Sequence, residues 1–183
     1  MIKVGISGKI ASGKSEVEKI IKSLGYEVFD MDFMVHKLYD KKTISDKILQ
    51  EFKTTDRKEI GKIIFDNKDK KATLESILFP ELKKIIFDLF EKYKNEKILF
   101  ISGALLFKSG FYKLFDKTIF VDSKEEIRLE RLMKRNNLDI KTARLRLNLQ
   151  DEGNFADFII ENNEDFDKLK EKTKEVIDKL NGC

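Results

Sequence analysis

The sequence predicts an α/β protein: a five-stranded parallel sheet in a three-layer α/β/α arrangement, carrying a helical insertion and a small lid. Three observations predict it. Five short runs rich in Ile, Val and Phe alternate with helical patterns. A glycine-rich octapeptide follows the first of these runs and opens the first helix. Residues 33–97 then carry no strand signal and read as helices, too long a stretch for a structureless loop in a compact domain.

In chain order, strands are predicted at residues 2–7, 27–30, 98–102, 118–121 and 158–160. Each is apolar on both alternating faces, as buried parallel strands are. A helix follows the first strand over about residues 14–24, with Gly25 as its stop. Further helices are predicted at 124–136, 140–150 and 166–180. The insertion reads as helices at 33–39, 45–52 and 57–65 and a longer one broken at Pro80. The expected organisation is a nucleotide-binding core of residues 1–32, 98–136 and 155–183, an acceptor-binding insertion at 33–97, and a lid at 137–154.

Composition narrows the function classes. With 41% hydrophobic residues the chain can bury a core, and 38% charged residues give it a polar surface. A net charge of +4 with both signs interspersed lacks the basic stripe of a nucleic-acid binder. No run approaches 18 apolar residues, and "MIKVGIS" reads as a strand rather than a signal segment, so no membrane span or export is expected. The single cysteine, Cys183, is the last residue, so an intrachain disulfide is impossible, which fits a cytoplasmic location.

The octapeptide lies in "GKIASGKSEV" and fits G-x-x-x-x-G-K-S/T, a phosphate-binding loop, in the required strand-to-helix context. Such a turn aims backbone N–H groups into a concavity, and the helix N-terminus adds partial positive charge. Gly8, Ala11, Ser12, Gly13, Lys14, Ser15 and Glu16 are the expected nucleotide contacts. Lys14 reaches the β and γ phosphates and Ser15 ligates Mg²⁺. Glu16 starts the helix, where an acid suits the dipole. The expected fold is thus that of the P-loop NTPases, with ATP and Mg²⁺ as cofactors.

Two acids follow the second strand in "YEVFDMDFMVH". At the carboxyl end of a parallel strand they border the ligand crevice of an open α/β sheet. On an extended chain Asp30 and Asp32 point to the same side. One suits Mg²⁺ and the other suits proton abstraction from an attacking hydroxyl. Asp32 can equally cap the next helix. His36, the only histidine, falls one turn later. In "EEIRLERLMKRN", Arg128, Arg131 and Arg135 share one helical face, and Arg131 and Arg135 are the candidates to meet a transferring phosphoryl group. Arg144 and Arg146 follow on the next helix and suit either a lid or a solvated surface.

Taken together these segments resemble the dephospho-CoA kinases over nearly the whole chain. "GISGKIASGKSEVEKIIKSLGYEVFDMDFMVHKL" is similar to the family's N-terminal block, with its D-x-D after strand two. "DRKEIGKIIFDNKDKKATLESILFPEL" resembles its D-R-x-x-L-G segment, with Phe79-Pro80 where the family has H-P. "LLF" at 105–107 falls in its P-L-L-F-E stretch, "RLERLMKRNNLDIKTARLRLNLQ" resembles its R-L-x-x-R…R-I-x-x-Q run, and "ADFIIEN" its A-D-x-V-I-D-N. The resemblance implies ATP-dependent phosphorylation of the ribose 3′-hydroxyl of dephospho-CoA. It implies Asp32 as general base, Asp30 and Ser15 for the metal, and Lys14, Arg131 and Arg135 for the phosphoryl group. Arg146 joins the nucleotide contacts, and Asp32, His36, Arg57, Leu106 and Phe107 are implied for the acceptor. The expected partners are small molecules alone, in a monomer or weak homo-oligomer. A kinase for another nucleoside or nucleotide acceptor, and a nucleotide-binding regulator of weakened activity, stand as alternatives.

Overall fold

The computed structural model describes residues 1–65, 67–147, 153 and 155–182. The chain divides into two compact units, residues 31–92 and the remainder.

The larger unit is built on five parallel strands: β1 (Ile2–Gly8), β2 (Val28–Asp30), β3 (Ile98–Ser102), β4 (Lys117–Asp122) and β5 (Phe158–Glu161). Their order in the sheet is β2-β3-β1-β4-β5. Register pairs Gly5 with Ile101 on one side and Thr118 on the other. The first strand is therefore central, which is why Val4 and Ile6 are wholly buried. One face of the sheet packs on α1 (Lys14–Ser23) and α8 (Phe166–Asn181) through Val17, Ile20, Ile21, Leu169, Val176 and Ile177. Each of these side chains removes apolar area worth roughly 1.5–3 kcal/mol from water. Apolar residues three and four apart on α1 give it this single buried stripe. Gly25, at φ +90°, ends the run after the helix, as expected.

Two helices, α6 (Glu125–Asn136) and α7 (Ile140–Leu147), form a satellite cluster. Leu132, Ala143 and Leu147 are buried in it, with Ile10 and Ala11 of the glycine-rich loop packed against them. The loop is thus seated on α6 and α7. The helix expected over 140–150 is described as far as Leu147, and Gln150, most of the lid's second half and Cys183 fall outside the described residues.

The smaller unit holds α2 (Met31–Leu38), α3 (Lys42–Phe52), α4 (Arg57–Phe65) and α5 (Lys68–Lys92). The predicted break at Pro80 does not occur: α5 runs through it. A proline inside a helix removes one hydrogen bond and costs about 3 kcal/mol. Here Leu74, Leu78, Leu82, Ile86 and Phe90 recur every fourth residue on both sides of it and are all buried. Burying five such side chains outweighs one lost rung, and Pro80 itself lies on the exposed side.

The pair Asp30 and Asp32 also differs from expectation. The strand ends at Asp30 and α2 begins at Met31, so Asp32 stands in the first turn of a helix. The two carboxylates do not share an extended segment. A short 3-10 turn at Phe111–Leu114 carried no predicted element.

Candidate active site

The glycine-rich loop connects β1 to α1 through two left-handed residues. Gly13 sits at φ +102° and Ala11 at φ +62°. The second conformation costs an L-residue on the order of 1 kcal/mol, and such strain gathers at ligand sites. The first amides of a helix have no acceptor within it. In α1 they belong to Lys14 and Ser15. Together with the dipole they make a ready anion site. A cleft of about 400 Å³ opens over these groups. Its walls are residues 8–16 on one side, Ala104 and Leu105 on another, and Arg131 and Arg135 of α6 on a third. All seven loop residues expected to contact a nucleotide line it.

Asn162, at the carboxyl end of β5, closes the loop from behind. Its Nδ2 donates to the Ser12 carbonyl at 2.7 Å, and its Oδ1 accepts from Arg131 Nη2 at 3.5 Å. Arg131 Nη1 also donates to the carbonyls of Ser12 and Asn162, at 3.4 and 3.3 Å. A Cβ on Gly13 would stand 2.1 Å from Asn162 Nδ2, so only glycine fits there. A second brace runs from Lys9 Nζ to Asp122 Oδ2 at 2.8 Å. Among the described residues the hydroxyl of Ser12, wholly buried in the loop, has no hydrogen-bond partner. An oxygen-rich ligand in the cleft is the chemistry such a cradle fits.

Cations dominate the walls. Arg131 is half-buried and Arg135 is exposed, its Nε bonded to Asn136 Oδ1 at 3.0 Å. Arg128 is elsewhere: it is 3% exposed and donates to the Ser123 carbonyl at 2.9 Å. It is a buried structural arginine, although the sequence places it on one face with the other two. Lys14 Nζ pairs with Glu18 Oε1 at 2.7 Å. Glu16 pairs outward with Lys19 at 2.8 Å, so it does not oppose an anion. Arg146 is exposed on α7 and is not among the residues lining the cleft.

Two expected acceptor contacts are core residues instead. Leu106 is fully buried, its Cδ2 lying 2.8 Å from where a Cβ on Gly5 would stand. Phe107 is 9% exposed and stacks on Tyr112, with its edge set against Phe120. Neighbouring Leu105 is the residue that faces the cleft, 45% exposed. Its apolar type gave the sequence reading no means to separate it from Leu106.

Asp32, His36 and Arg57 all belong to the helical unit. Asp32 and His36, four residues apart on α2, share a face and are both exposed. Arg57 Nη1 bonds to His36 Nδ1 and its guanidinium lies 5.4 Å from the centre of the Tyr39 ring. Arginine can only donate, so in this contact His36 Nδ1 is the acceptor. A second cavity of about 630 Å³ borders Tyr39, Arg57, Lys58, Ile60, Ile64 and Leu74. Burial raises the Tyr39 hydroxyl above its ordinary pKa, keeping it a neutral donor. Asp56 caps α4, and the amides of Glu59 and Lys58 hold its carboxyl below the usual range.

The dephospho-CoA kinase family profile matches residues 2–168. The chain belongs to the dephospho-CoA kinase family. A dephospho-CoA kinase of Listeria innocua is 33% identical over 192 residues, spanning 97% of this chain and 96% of its own. The solved dephospho-CoA kinase of Campylobacter jejuni superposes with a TM-score of 0.61 at 27% identity, covering 99% and 98% of the two chains. The Thermus thermophilus protein TT1252 shares the fold more closely, with a TM-score of 0.86 over 98% and 97% of the chains, at 24% identity. Membership makes the chain a phosphotransferase of the ATP-using kinases. Two residues that touch the loop and its lysine were not assigned from the sequence. Asn162 closes the "ADFIIEN" segment at the carboxyl end of β5, and Glu18 is signalled only by lying one turn beyond Lys14. Among the described residues no helix is long and apolar enough to cross a membrane.

Proposed function

We propose that this chain transfers the γ-phosphoryl group of ATP to the ribose 3′-hydroxyl of dephospho-CoA, giving coenzyme A. The observation that carries the reading is a phosphate loop facing two arginines across one cleft, in a chain of this family. The loop amides and Lys14 hold the β and γ phosphates, and Arg131 and Arg135 neutralise the charge that spreads over the phosphoryl oxygens during transfer. Asp32 takes the proton of the attacking hydroxyl. His36 and Arg57 serve the acceptor.

Mg²⁺ fits this site through oxygen donors. Ser15 and Asp30 are both exposed and hard, and among the described residues there is no group of three or more His, Cys, Asp or Glu that could hold an ion by itself. Such an ion is held largely by the nucleotide's own phosphates and water. When bound it supplies neutralising charge. We place the enzyme in the cytoplasm, acting on small molecules, as a monomer or weak homo-oligomer.

An ADP-release assay with dephospho-CoA and a panel of nucleosides and nucleotides tests the acceptor. Faster turnover of another member of the panel replaces the acceptor. ATP binding without acceptor-dependent ADP makes the chain a nucleotide-binding regulator. Asp32→Asn is expected to lower kcat by about 10²–10⁴-fold, the usual range for a general base, with ATP affinity unchanged. Wild-type turnover in that variant removes Asp32 from the mechanism.

A further inference from the structure

Lys14 is paired with a carboxylate of its own helix. Its Nζ lies 2.7 Å from Glu18 Oε1, with the two side chains 17% and 15% exposed. The neighbouring pair on the same helix, Glu16 with Lys19, is 45% and 69% exposed. The two pairs therefore differ in kind. Water and salt screen the outer one, whereas the Lys14–Glu18 pair sits in a lower dielectric where attraction is stronger. Helix stability does not account for it either. At i,i+4 the favourable order places Glu before Lys, and here Lys comes first. Lys14 lines the cleft while Glu18 does not. The carboxylate thus draws the ammonium along the helix, toward a group outside the ligand space.

We propose that Glu18 is a positioning residue that competes with phosphate for Lys14, so that a polyphosphate binds by exchanging with it. This rests on the reading of the loop as the ATP site. A nucleotide that recruits Lys14 leaves Glu18 largely buried and without its counter-charge, and that cost is subtracted from affinity. The subtraction applies only to ligands whose phosphates reach Lys14, which are the β and γ groups. ATP bears it; AMP does not. Glu18 thereby keeps the polyphosphate from binding too tightly to be released after transfer.

The test is equilibrium binding of ATP and of AMP, by titration calorimetry, to the wild type, to Glu18→Gln and to Glu171→Gln. The last removes an exposed pair on α8, Lys168 with Glu171 at 2.7 Å, as a control. Glu18→Gln is expected to bind ATP about tenfold tighter with AMP affinity unchanged, and to lower the KM for ATP without raising kcat. Glu18→Asp, with its charge kept on a shorter arm, is expected to fall between, and it gives the same ATP-over-AMP signature if Glu18→Gln does not fold. Glu171→Gln is expected to match the wild type for both ligands. ATP affinity that is unchanged or weaker in Glu18→Gln overturns the proposal. So does an equal change for ATP and AMP, which would mark a structural role. A wild type that binds no ATP overturns the reading of the loop and this inference with it, whereas a wild type that binds ATP leaves that reading standing whatever Glu18 does.

Discussion

Asn162 combines three tasks in one buried side chain. It donates to the loop carbonyl of Ser12, accepts from Arg131 and fills the space that a Cβ on Gly13 would need. Loop shape and arginine direction are therefore set by the same residue. Asn162→Ala leaves the Ser12 carbonyl only its longer bond from Arg131 and takes one acceptor from the guanidinium, and the two lost bonds together cost about 1–3 kcal/mol. The expected outcome is ATP binding weakened about tenfold, with kcat falling as Arg131 loses its aim. Steady-state kinetics at varied ATP check it, and unchanged kcat and KM would refute the clamp. Asn162→Asp separates the tasks: the carboxylate repels the Ser12 carbonyl yet still pairs with Arg131. At this scale the sequence was legible where a motif carried the chemistry. The loop, Lys14, Arg131 and Arg135 meet in one cleft. It was silent where neighbours of like type differ only in direction. Leu105 faces the cleft and Leu106 the core, and no local property distinguishes them. Arg128 likewise shares a helical face with Arg131 in projection but ends against the Ser123 carbonyl.

At the scale of elements, Pro80 is the instructive case. Proline is the strongest local signal for ending a helix, yet α5 continues through it because apolar residues at fourfold spacing on both sides are buried in one stripe. The remaining penalty predicts a stabilising substitution. Pro80→Ala restores an N–H for the helix and removes a ring clash worth about 3 kcal/mol. It also frees the unfolded chain, which returns about 0.4–1 kcal/mol. A net gain of about 2 kcal/mol raises the midpoint by about 4–8 °C in a chain of this size. Thermal unfolding followed by far-ultraviolet circular dichroism measures it, and an unchanged or lower midpoint would mean that α5 is already relaxed around the proline. The strands were the most legible elements. The three inner strands are buried on both faces along most of their length, and every strand end lies within one residue of its predicted bound. The 3-10 turn at Phe111–Leu114 was not, since Phe111 is buried by tertiary packing that no periodicity announces.

For the whole molecule, the proposed division of labour follows the division of the chain. The phosphate loop and its arginines lie in the sheet unit, and Asp32, His36 and Arg57 lie in the helical unit. Each unit has its own buried apolar residues, which hold that unit's own side chains in place. A ligand that binds only the folded state stabilises it by about 2.7 kcal/mol at a hundred times its Kd. For a chain of this length that is a rise of about 5–11 °C in the unfolding midpoint. ATP and dephospho-CoA are each expected to produce such a rise in the wild type. Lys14→Ala is expected to lose the ATP shift and keep the dephospho-CoA shift. His36→Ala, which removes the acceptor of the Arg57 hydrogen bond, is expected to do the reverse. Differential scanning fluorimetry with each ligand on each variant reads all four combinations. Loss of the ATP shift in His36→Ala would mean that the two units do not divide the substrates between them, and the assignment of the acceptor to the helical unit would fall.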